Sequence, residues 1–148
     1  MNELELKGRW FIKAPKEAVY NIITDFENYP KNFPKVTKNV QILKRNKNIL
    51  EMNVQVQSFG KVFPVQMKTT LLPNKGFISE NNSSKFGTSG HEELLLQKSN
   101  TGTTIHYNYH ISIHKLWLRV IGHPLISLYS MKYWEKAVIQ VLKDKLEK

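Results

Sequence analysis

From Pro124 to Lys148 the chain carries one amphipathic stripe that no glycine or further proline interrupts. Leu128, Met131, Trp134, Val138, Val141 and Leu142 recur at steps of three and four residues, the period of a single buried helix face. Lys132, Glu135, Lys136, Lys143 and Asp144 fall between them and face water or a rim. Pro124 suits a first helical turn, where its missing N–H has no partner to lose. A helix this long with one oily side needs a wall to pack against. The rest of the chain has to supply that wall.

The preceding sequence reads mostly as strands. Leu4, Leu6, Trp10 and Ile12 alternate with charged residues in a half-buried strand. Ala14-Pro15 ends it, and Pro15-Lys16-Glu17 opens a short helix with Val19, Ile22 and Ile23 on its apolar side, ending near Asp25-Phe26. The next segment, up to Pro34, holds at most one turn of helix, because Pro30 and Pro34 push Tyr29 and Phe33 toward extended geometry. Val40 and Ile42 mark a strand, and Arg45-Asn46-Lys47-Asn48 a hairpin turn. Leu50, Met52, Val54 and Val56 alternate in the next strand, and Phe59-Gly60-Lys61 turns the chain. Phe63, Val65, Met67, Thr69 and Leu71 follow, with Pro64 arguing for a bulge or an edge. After the turn at Pro73-Asn74-Lys75-Gly76, Phe77 and Ile78 begin a short strand and Asn81 to Lys85 reads as a turn. Gly90 to Lys98 and Thr103 to His114 are the last two strands. Connections of hairpin length cannot join parallel neighbours, so the order implies an α+β fold with one antiparallel sheet of about seven strands and helices on one face.

A length of 148 residues favours a single domain over 1–148, large enough for a proper core. Without cysteine there is no disulfide framework and no thiolate metal site. The N-terminal MNELELKGRW lacks the apolar core of a signal peptide. The uncharged run after Arg119 is well short of the ~20 residues of a membrane span. A cytoplasmic location is the expectation. Twenty-two Lys and Arg against twelve Asp and Glu leave a net charge of +10. Between Asn28 and Leu50 there is no acid, while Lys31, Lys35, Lys38, Lys44, Arg45 and Lys47 fall there. Such a patch attracts anions, anionic lipid surfaces or nucleic acid, unless it reflects a lysine-rich composition alone.

The segment Ile12 to Val36 resembles the opening of the polyketide cyclase and coenzyme Q-binding branch of the START/SRPBCC superfamily. There a strand-ending Ala-Pro (Ala14-Pro15) leads into a helix and then an Asp-Phe-x-x-Tyr-Pro segment (Asp25-Phe26, Tyr29-Pro30), followed here by Phe33-Pro34. The chain departs from the branch at Gly90-His91-Glu92-Glu93-Leu94, where relatives often carry an aromatic residue. The resemblance implies the helix-grip fold, a curved sheet around the C-terminal helix with two short helices after the first strand. It also implies an apolar cavity between sheet and helix that takes lipids, quinones, polyketides or similar molecules. Fold alone does not choose among these.

The sheet's inward faces supply such a cavity with Trp10 and Ile12, Met52 and Val54, Phe63 and Met67, Leu94, and Tyr107, Tyr109 and Ile111. The segment after the first helix adds Phe26, Tyr29 and Phe33, and the long helix adds Leu128, Met131 and Trp134. Methionines and aromatics suit an adaptable pocket, but they fill a core equally well. Strand alternation lets only one of Glu92 and Glu93 point inward, and Glu92 shares its parity with Leu94 and Leu96. Glu92, Tyr107 and Tyr109 are the candidate acid–base groups. The bland alternatives are a Glu92 paired with lysine or sitting at a wet mouth, and tyrosines bonded to protein.

His106, His110 and His114 lie opposite the Ile-Tyr-Ile face. Residues four apart on a strand are about 13 Å distant, too far to share one ion, so no metal and no other cofactor is expected. The main reading is a non-catalytic binder of a hydrophobic small molecule such as a lipid or isoprenoid quinone, its basic residues forming a rim that touches an anionic membrane. A cyclase or dehydratase-type enzyme is the second reading, and a basic adaptor for ribosome or RNA the third. Nucleic acid is disfavoured, because RNA-binding sheets display exposed aromatics and here only Phe11 lies on the outer face.

Overall fold

The computed structural model describes residues 3–58, 61–83, 87–114 and 131–147. Seven strands occupy most of them: β1 (Glu3–Ile12), β2 (Thr37–Asn46), β3 (Ile49–Ser58), β4 (Lys61–Leu72), β5 (Gly76–Ser83), β6 (Thr88–Ser99) and β7 (Gly102–Ile113). Helix α1 (Lys16–Ile23), a 3-10 turn (Phe26–Asn28) and α2 (Tyr29–Asn32) separate β1 from β2. The C-terminal helix α3 is helical at every described position from 131 to 146. Residues 124–130, including Pro124 and Leu128, lie outside the described residues, as do Phe59 and Gly60.

The strands form one curved antiparallel sheet in the order β1-β7-β6-β5-β4-β3-β2. Strands that follow one another in sequence are neighbours, except that β1 closes onto β7 rather than β2. This is the helix-grip arrangement. Inward positions alternate strictly. They are even-numbered in β1, β3 and β6 and odd-numbered in β4, β5 and β7, as the burial of Leu4, Leu6, Leu50, Met52, Leu94, Leu96, Ile105 and Tyr107 shows. Register is fixed by this oily face, because a slip of one residue would turn every inward side chain out.

Helix α3 is held from two sides. Its apolar face joins a core that includes Ile12, Leu50, Met52, Phe77, Leu94 and Ile105 from the sheet and Val19 and Ile23 from α1. Its end is pinned where the Glu147 carboxylate accepts from the Lys13 backbone N–H at 2.8 Å. Within it, Glu135–Ile139 form a π-turn. That wider turn brings Ala137, Val138 and Ile139 inward in succession, together with Leu142. The simple three-and-four stripe therefore misplaces the buried set: Val141 is only partly covered, while Ala137 and Ile139, absent from the stripe, are fully buried.

Other expectations need correction. Tyr29 is helical (φ −57°, ψ −40°), and Pro30 sits inside the first turn of α2, where a proline has no hydrogen bond to break. Two successive turns, not one, thus lie between α1 and β2. Pro64 causes no bulge with β3, where it faces Gln55 in unbroken register, but it has no register partner on β5 among the described residues, the edge position that is the alternative expectation. The register shifts fall instead between β2 and β3, at Thr37/Asn39 and Ile42/Lys44. Asn81 and Asn82 belong to β5, which runs on to Ser83.

Candidate functional site

The concave face carries a polar strip across its middle. Glu92 on β6 is in register with Ser79 on β5 and Tyr109 on β7. Parity places all three on the side facing α3. The Tyr107 hydroxyl donates to Glu92 Oε2, a diagonal contact on the same face. The Tyr109 hydroxyl donates to Asn81 Oδ1 at 2.7 Å, and Thr69 and Ser79 share a buried hydrogen bond of 3.0 Å. Glu92 is therefore paired with a phenol rather than with lysine. The strip's polar groups are bonded to one another, as buried polar groups must be.

Rings surround this strip. Trp134 on α3 stacks on Tyr107 with centroids 4.4 Å apart and lies 5.1 Å from Trp10. Two glycines make the space. A Cβ on Gly8 would sit 2.0 Å from the Trp10 ring, and one on Gly90 would sit 2.3 Å from the Tyr109 ring. On the other side Tyr29 packs between Phe26 and Phe33 at 4.8 Å from each, and its hydroxyl donates to the Ile23 carbonyl.

Burial raises the pKa of Glu92, because a charge there loses its hydration, while the Tyr107 hydrogen bond works in the opposite direction. Burial also pushes Tyr29, Tyr107 and Tyr109 upward, and the nearby Glu92 charge pushes each further. The three phenols stay protonated at any physiological pH and act as donors. Glu92 is the one group in the strip able to change charge.

The sequence-derived cavity residues divide by exposure. Ile12, Phe33, Met52 and Leu94 have at most 1% of their surface exposed and pack the floor. Phe26, Val54 and Tyr107 are nearly covered. Trp10, Tyr29, Met67, Tyr109, Met131 and Trp134 pack against that core while keeping accessible surface. Ile111 belongs to a second cluster with Leu4, Leu6 and Ile113, and Tyr109 and Met131 bridge the two. Phe63 is partly exposed, in register with Val56. From the sequence, Thr69 reads as inward without a polar role, Asn81 reads as a turn residue and Ser79 attracts no expectation. The alternation of Phe77, Ser79, Asn81 and Ser83 was the available signal, hidden by the turn-forming look of Asn-Asn-Ser.

The basic residues are all exposed. Lys31, Lys35 and Lys38 are exposed near α2, and the Tyr133 hydroxyl of α3 donates to the Lys35 carbonyl. Lys44 and Lys47 lie at the far end of β2, six or more strand residues from Lys38, roughly 20 Å away. Arg45 there is paired with Glu27 at 2.7 Å, so the acid just outside the basic stretch occupies one of its cations.

The histidines sit on the outer face. His106 bonds Gln97, His110 pairs with Glu5, and His114 bonds Ser89. His91, opposite His110, contacts both Glu80 and Glu93. No group of three metal-ligating side chains occurs among the described residues. His123 lies outside them. The hydrogen bonds to Glu80 and then Glu93 raise the His91 pKa above its usual 6.5. A folded-state value above the unfolded one means His91 stabilises the fold fully below about pH 6.5 and loses that contribution as pH rises through the raised value. The side chain is 38% exposed, so solvent screening keeps the effect below about 1 kcal/mol. His91→Gln is expected to melt lower than the parent near pH 6, with the gap closing by about pH 9. A gap independent of pH would remove the ion pairs from the account.

Residues 12–125 match the family described as polyketide cyclase/dehydrase and lipid transport. None of the curated proteins matches the chain. Among solved structures, the di-domain ARO/CYC BexL is similar with a TM-score of 0.80 at 11% identity, covering 99% of this chain and 51% of its own. The chain thus spans about half the length of that protein. The Zhui aromatase/cyclase of Streptomyces is similar at TM-score 0.76 and 13% identity, covering 98% of this chain and 94% of its own. A START superfamily protein from Mycobacterium smegmatis gives 0.75 at 16% identity, with 97% of each chain covered. At these identities the likeness concerns the fold. Among the described residues no helix is long and apolar enough to cross a membrane.

Proposed function

The chain belongs to the polyketide cyclase/dehydrase and lipid transport family, and on that premise we propose that it binds a hydrophobic small molecule between the sheet and α3, as a carrier or chaperone rather than a catalyst. One observation carries the reading. Tyr29, Glu92 and Tyr109 each have a polar atom bonded within the fold, to the Ile23 carbonyl, the Tyr107 hydroxyl and Asn81, yet each keeps accessible surface. A side chain deep in a fold touches solvent only where the fold leaves space. The wall of that space is aromatic and thioether-rich (Trp10, Trp134, Met67, Met131), with a few convergent polar groups, the usual make-up of a small-molecule site. Exposed Lys31, Lys35 and Lys38 give the same molecule a surface for anionic membrane.

Organic extraction of the purified protein followed by mass spectrometry tests the proposal, together with thermal shifts across lipids and quinones. A bound apolar molecule, or stabilisation by one class, is the expected result. A clean apo protein indifferent to every class would overturn it. Co-sedimentation with anionic vesicles that is lost on changing the three lysines to glutamate checks the membrane contact.

The Glu92–Tyr107 contact favours a second reading, a cyclase- or dehydratase-type enzyme in which that pair moves a proton. Turnover of a polyketide-like substrate that Glu92→Gln abolishes without loss of binding would make it the better one.

A further inference from the structure

Resting on that reading, we propose that the recess takes an apolar ligand bearing a cationic nitrogen, protonated amine or quaternary ammonium, with Glu92 as its counter-charge and the Trp10 and Trp134 rings beside it. The chain has twenty-two lysines and arginines. Among the described residues, none of them, and no histidine, lies within ion-pair distance of Glu92, whose one partner is the Tyr107 hydroxyl. An enclosed carboxylate without a cation either takes up a proton or keeps its charge by pairing with a visiting positive group.

The neighbouring phenol protons are already committed. Tyr107 donates to Glu92, Tyr109 to Asn81 and Tyr29 to the Ile23 carbonyl. An anionic headgroup beside Glu92 would therefore meet a carboxylate and phenols whose protons are already bonded. A cation would meet the carboxylate and ring faces whose quadrupoles attract it. Trp10 and Trp134 are tilted 37° to one another and both keep accessible surface, so the rings are not closed off by their own contact.

The molecule's overall field runs the other way. With a net charge of +10 it draws anions from a distance, so a preference for cations has to arise from local contact. That makes the test stringent. Decylamine, decyltrimethylammonium, decanol and decanoate share one chain and differ only in the head. Their binding, below micelle-forming concentration and at moderate salt, is read by quenching of tryptophan fluorescence and by calorimetry. The two cations are expected to bind at least roughly tenfold tighter than decanol and decanoate, the size of one charge-assisted contact. Glu92→Gln is expected to erase that difference while leaving decanol binding in place. Decylamine against decyltrimethylammonium then separates hydrogen-bonded amine from methylated nitrogen. Decanol or decanoate binding as tightly as the cations would overturn this proposal and leave the apolar site standing. Failure of all four probes would overturn the site itself. The ranking on the unmodified chain decides even where the variant does not fold.

Discussion

Gly76→Ala is expected to lower the melting temperature by about 10 °C or more, and to leave much of the chain unfolded at 37 °C. Gly76 sits at φ +132°, a conformation an L side chain rarely adopts, and it is buried at the start of β5. A Cβ there would lie 1.9 Å from the Leu94 carbonyl oxygen and 2.9 Å from its carbon. Both are backbone atoms in the middle of β6, so no rotamer change relieves the clash. Backbone strain of about 1–3 kcal/mol and overpacking of about 1–3 kcal/mol act together. Their sum, about 2–6 kcal/mol, is a large part of the total stability of a typical domain. Asn74 in the same turn is the control. Its φ is +59°, a region asparagine tolerates, so Asn74→Gly is expected to change stability little. Urea and thermal unfolding of both variants decide the matter. A Gly76→Ala chain melting within about 2 °C of the parent would mean that the β4–β5 turn can open without disturbing β6.

Gly76 also shows what the sequence disclosed and what it did not. Pro73-Asn74-Lys75-Gly76 reads as a turn from composition, but nothing in it says that the glycine abuts the backbone of a strand nearly twenty residues on. The same division holds throughout. Alternation in β1, β3, β4, β6 and β7 is legible because an inward apolar residue leaves a two-residue period. It also placed Glu92 inward beside Leu94. Failures came where a local preference was overruled by a distant partner. Asn81 looks like a turn residue and is a strand residue because the Tyr109 hydroxyl, twenty-eight positions away, bonds its side chain. Tyr29 precedes a proline and is helical because α2 packs its ring between Phe26 and Phe33. The π-turn in α3 has no sequence period of its own; it became visible only once the helix lay between sheet and α1.

Trp134 is where the fold and the proposed site depend on one side chain, and Trp134→Ala is expected to damage both. The ring bridges Tyr107 at 4.4 Å and Trp10 at 5.1 Å, joining α3 to the two strands that close the sheet. Full truncation of a core tryptophan costs about 3–5 kcal/mol; this one keeps some accessible surface, so about 2–3 kcal/mol is expected. Binding of the decyl probes is expected to weaken on the order of thirtyfold, equivalent to about 2 kcal/mol, because one wall of the recess goes with the ring. The pattern across probes matters more than the size. Loss of a shared wall weakens decanol and decylamine together, whereas Glu92→Gln weakens the cations alone. Trp134→Phe keeps an aromatic face in place and is expected to recover most of the stability and part of the affinity. If Trp134→Ala binds every probe as the parent does, the ligand lies away from α3. The partial exposure of Tyr29, Glu92 and Tyr109 would then belong to a water-filled gap with no role in recognition.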